Sequence, residues 1–208
     1  MRVGLVTDVH SHAAELARAL SLFREQGVDR VVTIGDTIDA FAPTLDAAQV
    51  AEMLLGANAV GVWGNHDFGL RGQVAEATRA RLPLDVFEFM ERMQPRLVLE
   101  DCHFSHRESY VDPFDVSQLW DLSEHRLPLE EKASLAFKAV VQRWQFTGHY
   151  HRWFAATPSG SVAWDGAQEL EFDPDLRYFV VVAAVCDGWC AILDLQRHLL
   201  QPLSCAGA

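Results

Sequence analysis

The sequence predicts an α/β protein whose early part carries a largely parallel sheet and whose last third is mostly β. Two patterns lead there. Short apolar runs rich in β-branched residues alternate with amphipathic stripes up to residue 143, and after Gly148 the pattern breaks into short strand-like runs. A third observation concerns function as much as fold: several apolar runs end in small groups of polar residues that metals favour.

Each element has its own signal. Residues 2–7 (RVGLVT) read as a buried strand. Residues 12–26 place Leu16, Leu20 and Phe23 on one helical stripe. Residues 29–34 form a second strand, followed at once by Gly35-Asp36, and 44–56 a helix with Pro43-Thr44 as its start signal. Residues 59–63 lead as a third strand into Gly64-Asn65-His66-Asp67. Residues 69–93 have helical spacing, 97–105 read as one strand or a hairpin, and Pro128 opens a helix over 128–143. The apolar run 144–147 leads into Gly148-His149-Tyr150-His151, and strand-like runs follow at 161–164, 169–172, 178–185, 189–195 and 198–203. No linker interrupts this order, so residues 1–208 are expected to form a single domain.

Composition narrows the class. With 208 residues, 50% of them in the AVILMFWYC set and 22% charged, the chain can bury a core without disulfides. No apolar run approaches the roughly 18 residues of a membrane helix, so no membrane partner is expected. The opening MRVGLVTDVHSH does not read as a signal peptide, and Cys102, Cys186, Cys190 and Cys205 show no CxxC spacing. Free thiols in a cytoplasmic protein are the expectation. The 17 basic and 29 acidic residues leave a charge of −12, which argues against long nucleic acids as partners. A metal site is compatible with it, and two divalent cations would bring the balance to roughly −8.

The polar groups at the strand ends carry the chemistry. Asp8-Val9-His10, Gly35-Asp36, Gly64-Asn65-His66-Asp67, Ser105-His106 and Gly148-His149-Tyr150-His151 each follow an apolar run. Open α/β sheets bind ligands at the carboxyl ends of their strands, so these segments can deliver side chains to one place. In an extended segment residues i and i+2 share a side, so Asp8 with His10, and His149 with His151, are expected to share a target. Carboxylate, imidazole and amide donors suit manganese, iron, zinc, nickel or cobalt better than calcium or a thiolate site. Six or more such donors exceed one tetrahedral zinc and suit two divalent transition-metal ions.

In that order the motifs DxH, GD, GNHD, H and GHxH resemble the calcineurin-like metallophosphoesterase superfamily, and DVHSHAAEL and VWGNHD are similar to its small bacterial phosphodiesterase-like branch. The resemblance spans residues 8–151. It implies a four-layer α-β-β-α sandwich of two mixed sheets flanked by helices. It also implies two metal subsites, with manganese the first choice of ion. Asp8, His10, Asp36 and His151 would hold one metal, and Asn65, His106 and His149, with Asp36 bridging, the other. His66 would be catalytic, steadying the phosphoryl group or protonating the leaving oxygen, and Asp67 would hold the His66 ring. A hydroxide bridging the metals would attack the phosphate ester in line.

Two departures from the family pattern stand out. Arg107 follows His106 where the family usually has glycine, and His103 is a rival to His106 as ligand. The Asn-Pro-Gly-Ser-Val-Gly stretch of small bacterial relatives is missing, with RYFVVVAAVCDGW in a similar place. Several residues have two readings. Arg107 and Arg152 either fork a phosphate oxygen or are solvated. Asp39 either backs the site or caps a turn, and His12 touches substrate or caps a helix. Phe41, Trp63, Phe68, Tyr150 and Trp153 either pack or stack on a nucleobase or aryl group. Cys186 and Cys190 read as small apolar residues flanking an Asp187-Gly188 turn, and His125 and His198 as structural or exposed.

The expected activity is metal-dependent hydrolysis of a small phosphate ester, above all a phosphodiester, with a nucleotide as one candidate substrate. A phosphomonoesterase or serine/threonine protein phosphatase on the same centre is the first alternative, separable by mono- and diester rates. A non-catalytic metal-binding or scaffolding module is a second, disfavoured because every motif position is filled. A redox metalloprotein is a third, disfavoured by the His66-Asp67 pair.

Overall fold

The computed structural model describes residues 1–41, 46–122 and 126–207. In chain order its elements are β1 (Arg2–Val6), α1 (Ala13–Glu25), β2 (Arg30–Ile34), α2 (Asp46–Gly56), β3 (Val60–Val62), α3 (Glu76–Arg79), α4 (Leu84–Glu91), β4 (Met93–Gln94), β5 (Leu97–Leu99) and β6 (Cys102–Phe104). There follow α5 (Val116–Leu119), α6 (Leu129–Ala139), β7 (Trp144–Thr147), β8 (Phe154–Thr157), β9 (Gly160–Ser161), β10 (Leu170–Glu171), β11 (Tyr178–Val181), β12 (Trp189–Asp194) and β13 (Leu199–Ser204). The expected start signal Pro43-Thr44 and His125 lie outside the described residues.

The strands form two mixed sheets, as the resemblance implied. The first has the order β10-β13-β12-β1-β2-β3-β4, the second β5-β6-β7-β11-β8-β9. β1 to β4 run parallel, as the alternation of strands and helices required. β12 then returns antiparallel against β1, with Gly4 opposite Ile192, a pairing across most of the chain that no local pattern encodes. In the second sheet β6, β7 and β11 are parallel, and β5 and β8 are antiparallel additions.

Four layers result. Between the sheets lies one apolar cluster, with Val3, Leu5, Val32, Ile34 and Leu193 from one sheet and Phe104, Phe146, Tyr178 and Val180 from the other. The outer face of the first sheet packs on α1, α2 and α4 through Leu16, Phe23, Val50, Leu54 and Phe89. The outer face of the second packs on α6 through Ala133, Ala136 and Phe137 against Phe179 and Val181. Burying each of these valine, leucine, isoleucine and phenylalanine side chains contributes on the order of 1.5–3 kcal/mol before entropy is counted.

Several boundaries differ from expectation for local reasons. The 69–93 stretch forms two short helices because Pro83 must start, not continue, a helix. The 97–105 stretch is a hairpin of β5 and β6. The helix expected over 128–143 ends at Ala139, where Val140 turns extended (φ −135°, ψ 158°). The run at 161–164 contributes only Ser161 to a strand, whereas β8 went unread because its two buried central residues are alanines, weak strand formers.

Candidate metal centre

The carboxyl ends of five parallel-running strands, three in one sheet and two in the other, meet at one edge of the sandwich. Asp8 and Asp36 lie two residues beyond β1 and β2, Asn65 three beyond β3, and His106 and His149 two beyond β6 and β7. The backbone there is unusual. Asp8 (φ 48°), His10 (φ 45°), Asp36 (φ 50°), His149 (φ 69°) and His151 (φ 51°) all occupy the left-handed region, at a cost of about 1–3 kcal/mol each. Strain gathered on these side chains is tolerated where it aims them at a common target. Two glycines make room: a Cβ on Gly64 would stand 2.1 Å from Asp36 Oδ1, and one on Gly148 2.6 Å from Asp8 Oδ2.

Two donor groups share Asp36. Asp8, His10 and Asp36 present ligand atoms within 4.8 Å of one another, and so do Asp36, His106 and His149. Asp36 Oδ2 lies 3.9 Å from His10 Nε2 and 3.2 Å from His106 Nε2. Asn65 Oδ1 faces His106 Nε2 at 3.0 Å and His149 Nδ1 at 2.9 Å. His151 Nε2 lies 3.4 Å from Asp8 Oδ1. Asp8 and His10 therefore converge, though on left-handed rather than extended backbone. His149 and His151 do not share a target: one turns to Asn65, the other to Asp8.

The electrostatics call for cations. Asp8 and Asp36 are buried carboxylates, and their ion-pair partners among the described residues are histidines. Asp8 Oδ1 is buried with no hydrogen-bond partner, an arrangement that is expensive without a positive charge beside it. Burial alone would raise the Asp8 carboxyl, but contact with His151 and the nearby His106 charge hold it at about 2. Burial would depress His106, but Asp36 lifts it to about 9. His151 is lifted to about 11, first by Asp8 and then by Cys186. His149 falls to about 2 through burial and the His106 charge, so it stays neutral with a lone pair to offer. The His106 tautomer is set by Nδ1 donating to the Ile34 carbonyl (2.8 Å), which leaves Nε2 toward Asp36 and Asn65. These donors fit divalent transition metals.

The structure corrects the reading of Asp67. Its buried carboxylate accepts N–H bonds from Ile38 (2.8 Å), Gly64 (3.0 Å) and Thr37 (3.2 Å), and so ties the loop after β3 to the loop after β2. Burial, then the Asp36 charge, raises its pKa to about 7 despite those bonds. The carboxylate that approaches the His66 ring is Asp39, with Oδ1 3.4 Å from Nδ1. His66 itself is anchored by its backbone N–H on Asp36 Oδ1 (2.8 Å), and its ring meets His10 edge-on at 4.6 Å.

Arg107 is neither solvated nor free for phosphate. It is buried, with Nε donating to Glu108 (3.1 Å) and Nη1 to the carbonyls of Gln118 (2.8 Å) and Leu119 (3.2 Å). Glu108, Lys132, Asp121 and Tyr150 complete this network: Lys132 Nζ donates to Asp121 and to the Tyr150 hydroxyl (2.8 Å each), and that hydroxyl donates to Glu108. It braces the His106 and His149–His151 loops from behind. Arg152 is exposed, and the His12 ring turns back to the Val9 and His10 carbonyls.

Two residues at the rim were not read as functional. Asp187 Oδ2 lies 3.0 Å from His151 Nδ1, and Cys186 Sγ 3.6 Å from the same nitrogen. A carboxylate on the far nitrogen of a metal-facing histidine fixes its tautomer and orientation. The turn at Asp187-Gly188 was legible; that it opens beside His151 follows only from β11 pairing next to β7.

His103 does not join the donor groups found among the described residues. It is buried, and neither ring nitrogen has a hydrogen-bond partner there. Burial, then the Arg96 charge, pushes its pKa from 6.5 to about 4. Below pH 6.5 the unfolded chain takes a proton that the folded chain refuses, so stability is lost as pH falls from about 6.5 toward 4. At about pH 5 the loss is about 2 kcal/mol. Urea unfolding at about pH 7.5 and 5 checks this: the wild type is expected to lose about 2 kcal/mol more than His103→Leu, whereas equal losses would mean that His103 protonates freely.

A model of the calcineurin-like phosphoesterase superfamily domain matches residues 1–163. The chain belongs to the calcineurin-like phosphoesterase superfamily. Solved structures agree on the fold. A metallophosphoesterase from Sphaerobacter thermophilus superposes with a TM-score of 0.75 at 19% identity, covering 98% of this chain and 88% of that one. A hypothetical protein from Pyrococcus horikoshii OT3 gives 0.63 at 12% identity, covering 98% and 87%. A structure described as a novel archaeal phosphodiesterase gives 0.55 at 17% identity, covering 98% and 99%. No curated protein matches the chain. Among the described residues no helix is long and apolar enough to cross a membrane. The superfamily assignment agrees with a site made of metal-type donors at the strand ends.

Proposed function

We propose that this superfamily member hydrolyses a small phosphodiester at a dinuclear metal centre. The observation that carries the reading is Asp36, a buried carboxylate shared by two groups of donors. Asp8, His10, Asp36 and His151 would hold one metal, and Asp36, Asn65, His106 and His149 the other. When bound, two divalent cations supply Lewis-acid charge for the phosphoryl oxygens and acidify water.

The chain's own residues do the rest. His66, beside His10 and Asp36, donates a proton to the leaving oxygen. Asp39, 3.4 Å from Nδ1, orients that ring. Asp67 keeps the two loops in register. Arg107 is committed to Glu108 and α5, and Asp39 borders the proton donor. A singly charged diester suits this setting better than a doubly charged monoester.

The test compares bis-p-nitrophenyl phosphate with p-nitrophenyl phosphate, using protein stripped of metal and refilled with manganese. Metal-dependent cleavage that favours the diester is expected. Preference for the monoester would move the assignment to a phosphomonoesterase, and binding without turnover of either would support a non-catalytic module.

A further inference from the structure

The row of rings at this site does not end at His66. The His10 and His151 rings lie 5.3 Å apart, His66 is 4.6 Å from His10, and Trp120 is 4.7 Å from His66. Phe41 follows, 5.6 Å from Trp120 and 6.0 Å from His66. The first three rings belong to the proposed centre. The last two have no part in it, yet Phe41 is 62% exposed and Trp120 half-buried. A large aromatic side chain left in water beside a reaction centre is an available binding surface.

Both rings are held in place. The Phe41 N–H donates to Asp39 Oδ1 (3.0 Å), and the neighbouring Ala40 N–H to the His66 carbonyl (3.1 Å). Trp120 ends α5, whose start is capped by Asp115 and whose last carbonyls are gripped by Arg107. Each ring is thus tied to a residue next to the centre, Phe41 through Asp39 to His66 and Trp120 through Arg107 to His106. The rings stand at 70° to each other and form a corner. A flat group stacks on one ring and turns its edge to the other, the arrangement aromatic pairs favour.

We propose that Phe41 and Trp120 recognise a planar aromatic group on the phosphate ester, a nucleobase or an aryl ring, on the leaving-group side of the scissile bond. The proposal rests on the phosphoesterase reading. The side follows from His66, which stands between this corner and the metal-type donors. Stacking needs only a π face, which both kinds of group offer. The Asp39 carboxylate beside the corner disfavours further phosphates there.

Calorimetric binding to the manganese-loaded protein tests it without turnover. Phenylphosphonate is compared with methylphosphonate, and adenosine 5′-monophosphate with ribose 5-phosphate, in the wild type, Phe41→Ala, Trp120→Phe and the double alanine variant. At least one aromatic ligand is expected to bind about tenfold or more tightly than its aliphatic counterpart in the wild type. That ratio is expected to fall in Phe41→Ala, to survive in Trp120→Phe, and to collapse toward one in the double variant. An advantage confined to adenosine 5′-monophosphate would assign a nucleobase, and one confined to phenylphosphonate a small aryl group. No aromatic advantage in the wild type, or one that survives the double substitution, would overturn the proposal. Failure of all four ligands to bind would instead count against the phosphoesterase reading itself.

Discussion

Replacing Asp36 with asparagine is expected to lower metal affinity at least about a hundredfold and to abolish metal-dependent hydrolysis. The reasoning is geometric. Asp36 Oδ2 faces His106 Nε2 at 3.2 Å and His10 Nε2 at 3.9 Å, so a single oxygen serves both donor groups. Asparagine keeps the shape and can keep the bond from the His66 N–H through Oδ1, but it removes the charge and puts an amide where a carboxylate oxygen was. Removing a side chain that orients a ligand already costs 10–100-fold in metal affinity as a rule, and removing a shared ligand costs more. Titration of the stripped variant with manganese measures the effect. An affinity within about threefold of the wild type would show that Asp36 is not the shared ligand.

The second large effect is of the opposite kind. His66→Ala is expected to lower kcat about 10²–10⁴-fold, the range for a lost general acid, while manganese content stays that of the wild type. The backbone N–H of residue 66 still reaches Asp36 Oδ1, so the loop keeps its anchor without the ring. The ring contacts His10 and Trp120 at its faces and edges and comes near Asp39, and it takes no part in the donor groups around Asp36. Metal loss in this variant would place His66 among the ligands, where His10, Asp39 and His66 also come within reach of one another.

The site was legible because its signals are local. A strand that ends in a carboxylate, amide or imidazole fixes that side chain within two or three residues, and the sheet then gathers the ends. Hence Asp8, Asp36, Asn65, His106 and His149 arrived together. The mixed character of the first sheet was not readable from periodicity, since β12 returns against β1 across most of the chain; the resemblance supplied the two-sheet architecture. The role expected of Asp67 was misplaced for a related reason. Asp67 follows His66 in sequence, but three backbone N–H groups from two loops claim its carboxylate, and Asp39 reaches the ring only because the loops after β2 and β3 meet. Arg107 read either as a phosphate ligand or as solvated because nothing local reveals Glu108 and the α5 carbonyls as its partners. Trp120 had no motif around it at all, and the turn at Asp187 gave no local sign that it opens beside His151.

The metal stoichiometry of the wild-type chain tests the central claim most directly. Elemental analysis and calorimetric titration of the manganese-refilled protein are expected to give two equivalents per chain, both lost together in Asp36→Asn. One equivalent or none in the wild type, or a variant that retains one metal at wild-type affinity, would contradict a centre built around a shared Asp36.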